Sequence, residues 1–185
     1  MTAMKPCNVL ILPGWKGSGA EHWQSRWEQA FGYQRVEQHD WMRPLRGDWI
    51  ARLEEVLLSC DEPAVLVAHS LGCQQVAAWA AHSRNTRLVK AALLVAPPDV
   101  EREDVRAVLP GWSPAVMAPL PFASRLFASS NDPFCSPARG RQFALAWGAD
   151  LIDAGPGGHL NAESGLSGWP LAHAQLRQLM RDTPA

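Results

Sequence analysis

The chain has 185 residues, of which 47% are hydrophobic and 19% charged, a length and balance sufficient for one domain with a substantial core. Its 17 lysines and arginines nearly offset 18 aspartates and glutamates with no basic stripe, which argues against nucleic acid as the main partner. Four cysteines (Cys7, Cys60, Cys73, Cys135) lack CxxC pairing and metal-ligand spacing, so free thiols in a reducing, cytoplasmic setting are expected, and no metal.

The first apolar run, Val9 to Leu12, stops at Pro13-Gly14. It is too short for a signal peptide or a membrane span and reads as a buried strand. The glycine-rich loop that follows, through Trp15, Lys16 and Gly17 to Gly19, lacks a P-loop ending and does not match G-x-G-x-x-G, so it is not a phosphate cradle. A helix over 22–31, a weak strand over 33–37 and a helix over 48–59 come next, with Asp48 at an expected cap.

The segment Val65-Leu66-Val67-Ala68-His69-Ser70-Leu71-Gly72-Cys73 then joins a strand (64–68) to an Ala-rich helix (71–82) through a serine. That is the form of a nucleophile elbow, with alanine at the first glycine position of G-x-S-x-G. A strand over 91–95 leads into a proline-rich, apolar excursion, 99–122, too short for a lid domain. Within it Glu101-Arg102-Glu103-Asp104 reads as a solvated face. Trp112, Met117, Leu120 and Phe122 could wall a small substrate pocket beside Trp15, or simply pack on the core. A strand over 124–129 ends at Ser130-Asn131-Asp132-Pro133, and Ser136-Pro137 opens a helix over 137–147. A strand over 149–153, a glycine-rich turn to His159 and a helix over 171–181 complete the chain.

Strand-helix alternation implies an α/β architecture: about six mostly parallel strands, buried on both faces, with helices on both sides, as one domain over 1–185. Ser70, Asp132 and His159 each follow a strand, in the order serine, acid, histidine found in α/β-hydrolases. Ser70 needs a base within hydrogen-bond reach, His159 fits that role, and Asp132 would orient the imidazole. Asp99, one strand earlier, is the rival acid; Asp153 fits a strand cap or a solvent-facing residue. Leu71, at the start of the helix after the serine, and Trp15, after the first strand, are the candidate backbone donors of an oxyanion hole. His69 should point into the structure.

Four segments carry a family resemblance: Leu12-Pro13-Gly14 with Ser18-Gly19 and Glu21-His22-Trp23-Gln24, then Ala68 to Gly72, Ser130 to Pro133, and Gly158-His159-Leu160-Asn161. Together they resemble the small serine hydrolases typified by retinoblastoma-binding protein nine, over nearly the whole chain. The resemblance implies a minimal α/β-hydrolase without a cap domain and a triad of Ser70, Asp132 and His159. Leu58-Ser59-Cys60-Asp61-Glu62 fits the LxCxE pattern linked to pocket-protein binding, but such peptides bind extended, whereas this one closes a helix. The expectation is a cofactor-free serine hydrolase of small carboxylic esters or activated amides. The alternative is a non-catalytic protein-interaction module that keeps the fold.

Overall fold

All six strands run parallel, in the order β2-β1-β3-β4-β5-β6, in a computed structural model that describes residues 9–183. Cys7 lies outside the described residues. The strands are β1 (Val9–Leu12), β2 (Gln34–Arg35), β3 (Ala64–His69), β4 (Val89–Val95), β5 (Ala123–Ala128) and β6 (Asp150–Asp153). The helices are α1 (Trp23–Phe31), α2 (Arg46–Leu58), α3 (Leu71–His82), α4 (Glu103–Val108), α5 (Pro137–Trp147) and α6 (Pro170–Asp182).

Alternation along the strands divides the core in two. Val9, Ile11, Val65, Val67, Leu93 and Phe127 pack with Trp23 and Trp27 of α1 and Leu176 of α6. Leu10, Leu12, Leu66, Ala68, Leu94 and Leu126 pack on the other face against α2, α3 and α5. Both faces of the central strands are covered, which is why their sequences are uninterrupted apolar runs. α3 lies innermost: it is buried from Leu71 through Trp79, and its two glutamines donate to the carbonyls of Pro98 and Trp49. Seven of the nine tryptophans are buried, and the half-buried exceptions are Trp15 and Trp41.

The chain runs outward from β1 to β2, then returns to place β3 on the other side of β1. That reversal makes the carboxyl ends of β1 and β3 the topological switch point, where open α/β sheets hold their ligands. Buried Gln24 braces it, donating to the carbonyls of both Leu12 and Val67.

Several expectations change. β6 is not buried on both faces: it pairs only with β5, and Asp150, Leu151 and Asp153 are exposed at the sheet edge. α2 begins at Arg46 with Leu45 at its cap and no side-chain bond; Asp48 instead lies in the first turn, where its charge meets the helix's positive end. Ser136 does cap α5, accepting from the Arg139 amide at 3.2 Å. The excursion after β4 contains an unexpected short helix, α4, whose first turn holds Glu103 and Asp104. As expected, the Leu58-to-Glu62 segment closes a helix: Leu58 ends α2 and Ser59 caps it.

Candidate active site

Ser70 occupies the one-residue turn between β3 and α3 with φ 54° and ψ −122°. A non-glycine residue at positive φ is strained, and the turn persists because its neighbours leave it no alternative. Two glycines make this approach possible. A Cβ on Gly72 would lie 2.4 Å from the Leu12 carbonyl oxygen, and one on Gly14 would lie 2.8 Å from the Cβ of Ser70. Ala68 faces the core on the α2 and α3 side rather than the β1 loop, so its methyl group is accommodated where the usual pattern has glycine.

The three strand-end residues named from sequence come together. The Asp132 carboxylate accepts the Nδ1–H of His159 at 2.9 and 3.0 Å, which leaves Nε2 to accept from the Ser70 hydroxyl at 2.8 Å. Asp132 also accepts the Phe134 amide at 2.9 Å, fixing the carboxylate against its own turn. The acid loop then grips the histidine loop. Ser129 Oγ accepts the Gly157 amide, and Asn131 Oδ1 accepts the Gly158 amide. Asp99 is elsewhere: its carboxylate accepts from Arg139 Nε at 3.2 Å and from the Glu101 amide. Asp153 caps the end of β6 by accepting the Gly155 amide.

The Leu71 amide opens α3 and, among the described residues, donates to no protein acceptor; nor does the Trp15 amide. Both lie on the backbone packed around Ser70. Trp15 is anchored by its indole, which donates to the Met42 carbonyl at 3.0 Å. The loop is stitched a second time by the Lys16 amide on the Trp41 carbonyl.

Two further histidines, which sequence reasoning left without a role, stand behind His159. His69 donates from Nε2 to the His159 carbonyl at 2.9 Å. His22 caps α1: its Nδ1 accepts the Gln24 amide, so the ring hydrogen sits on Nε2, which is buried and unpartnered. Burial, then Arg35 and His159, lowers the His22 pKa to about 4. Burial, then His22 and His159, holds His69 well below the usual histidine range. Both are therefore neutral imidazoles at neutral pH.

Ser70 opens onto a cavity of about 440 Å³. Val105, Val108 and Leu109 of the α4 segment form one wall, with Phe134, Trp15 and Pro98 completing it. The anticipated wall is not used. Trp112 is 2% exposed in the core, its indole donating to the Pro44 carbonyl, while Leu120 and Phe122 pack on that same core. Met117 is exposed and, like the other three, does not line the cavity. Full burial of an indole is worth roughly 2–3 kcal/mol, which a solvent-facing wall would forgo. The excursion does shape the site, but through α4.

No group of histidine, cysteine and acidic side chains able to hold a metal ion occurs among the described residues. No helix there is long and apolar enough to cross a membrane. Cys60, Cys73 and Cys135 are free thiols, and burial raises all three.

The serine hydrolase family model matches residues 9–178. The chain is 30% identical to a YdeN-like hydrolase of Pectobacterium atrosepticum, covering 94% of this chain and 90% of that one, with a TM-score of 0.82. It is similar in fold to the ydeN gene product of Bacillus subtilis (20% identity, 94% and 98% covered, TM-score 0.74). It also resembles Est1E of Butyrivibrio proteoclasticus, solved with ferulic acid bound (13% identity, 96% and 91% covered, TM-score 0.72). No curated protein matches the sequence.

Proposed function

The chain belongs to the serine hydrolase family, and from that premise we propose that it cleaves small carboxylic esters or activated amides through Ser70, His159 and Asp132. The observation that carries this reading is the unbroken series of hydrogen bonds from Ser70 Oγ through the His159 ring to Asp132, at the mouth of an open cavity. His159 Nε2 takes the Ser70 proton as Oγ attacks the acyl carbon, and Asp132 stabilises the imidazolium that forms. The amides of Leu71 and Trp15 are the donors to the oxyanion, the first aided by the amino end of α3. His159 then protonates the leaving group. Water, activated by the same imidazole, hydrolyses the acyl-enzyme and restores Ser70.

The cavity wall favours short or medium apolar acyl groups over long lipids. Its volume lies in the lower part of the range for small-molecule sites, and its α4 side is aliphatic apart from Asp104 in the first turn. The experiment that tests the function is labelling with a fluorophosphonate probe. The wild type should label and Ser70→Ala should not. A folded wild type that never labels would overturn the reading and favour an interaction module that keeps the fold.

A further inference from the structure

His159 sits in a stretch that regular backbone does not hold. Between β6 and the 3₁₀ turn Ala162–Ser164, the chain passes through Gly155, Gly158 and Leu160 at φ 67°, 62° and 50°. Its imidazole nevertheless meets two partners at once, Ser70 and Asp132. The acid loop accounts for half of this placement, since Ser129 and Asn131 take the amides of Gly157 and Gly158. Those bonds hold amides of the segment but not the carbonyls of His159 and Leu160.

Two ring N–H groups from the first half of the chain catch those carbonyls. His69 Nε2 donates to the His159 carbonyl at 2.9 Å, and Trp23 Nε1 donates to the next carbonyl, that of Leu160, at 2.8 Å. The rings brace one another: His69 lies edge-on to Trp23 at 6.1 Å, and His22 fills the corner at 4.7 Å from His69 and 5.3 Å from Trp23. His22 is in turn fixed by the Gln24 amide. Leu160, whose positive φ is unusual for a leucine, is buried beneath this group.

We propose that His69 and Trp23 are positioning residues, a two-point clamp on consecutive carbonyls that aims the His159 imidazole at Ser70 and Asp132. The proposal rests on the catalytic reading of those three residues. It gives the Glu21-His22-Trp23-Gln24 segment, far from the strand ends in sequence, a stated part in the site. Neutral His69 suits the task, because the hydrogen on Nε2 is the one that the His159 carbonyl needs.

The test compares His69→Phe and Trp23→Phe, which keep an aromatic ring and lose the donor, with His69→Gln, which restores an N–H. On p-nitrophenyl acetate, kcat should fall by about a hundredfold in His69→Phe with KM little changed, the size that a displaced catalytic group produces. Trp23→Phe should fall in the same sense, and His69→Gln should recover most of the loss. The downfield proton resonance of His159 Nδ1–H, sharp in the wild type and His69→Gln, should be lost to exchange in both phenylalanine variants. That resonance is read without turnover, so it judges the clamp even if the wild type hydrolyses no ester. Folded phenylalanine variants with the resonance intact would overturn the clamp, whether or not kcat has changed.

Discussion

The floor and the wall of the cavity are built differently. On the floor, Ser70, His159 and Asp132 are held by a strained turn, two glycine contacts and hydrogen bonds to amides or carbonyls on every side. The wall is a six-residue helix with no side-chain cap at Arg102, showing a half-exposed Val108 (50%) beside Phe134 (43%). Helices that short are marginal without tertiary support, and α4 buries only Val105. On the proposed reading the chemistry hangs on a chain of interdependent contacts, whereas the substrate range would depend on a few apolar side chains. The floor should fail abruptly when one link is cut; the wall should adjust in degrees.

The sharpest break is Asp132→Asn. The amide can hold the wrong imidazole tautomer, so kcat should fall by about ten-thousand-fold, as in the reference serine protease triad. Asp99→Asn should change kcat little, because its partners are Arg139 and the Glu101 amide. Steady-state kinetics on one ester decides this, and exchanged outcomes would sink the acid assignment.

Next in size is Trp112→Ala. It removes a core indole rather than a wall, so it should cost about 3–5 kcal/mol of stability in denaturant unfolding. The preference among ester chain lengths should stay as it was. A shift in that preference with stability unchanged would put Trp112 back at the site.

Acid should weaken the floor. His22 titrates near 6.5 when unfolded and near 4 when folded, so between those values the unfolded chain binds the extra proton. Stability is then lost as pH falls from 6.5 towards 4, by roughly 3 kcal/mol from His22 at full extent. His69 adds loss of the same sign. Urea midpoints at pH 7 and pH 5 should differ less in His22→Asn, which retains a capping carbonyl and cannot titrate. An equal drop in both proteins would remove His22 from the account.

The smallest effect belongs to the wall. Val108→Trp should lower kcat/KM on p-nitrophenyl hexanoate by about tenfold relative to acetate, the scale of a methylene or two in an apolar pocket. Parallel changes on both esters would mean that α4 does not meet the acyl chain.

The same contrast explains what could be read from the sequence. The floor is legible because Ser70 and Asp132 follow apolar runs, which mark the strands of a doubly covered sheet, and His159 follows a strand and a glycine-rich turn. The wall is not. Six residues with a single buried side chain carry no helical period, so the solvated run Glu101 to Asp104 gives no sign of the helix it leads into. For Trp112 the sequence leaves wall and core open, because composition cannot tell which way a proline-rich segment turns its indole. His22 and His69 stayed silent because their positions follow from β1 and β3 lying side by side, a fact of topology rather than of local pattern.

The tryptophans have an optical consequence. Seven of the nine indoles are buried, with Trp23 and Trp27 at 4.7 Å and Trp49 and Trp112 at 5.7 Å from one another. Native emission should therefore be blue-shifted and shared among coupled rings, reporting the whole core at once. Only Trp15 borders the cavity, so a bound ligand would alter one voice in nine. Intrinsic fluorescence will follow unfolding readily and follow binding poorly, unless the spectrum is taken as a difference against Trp15→Phe.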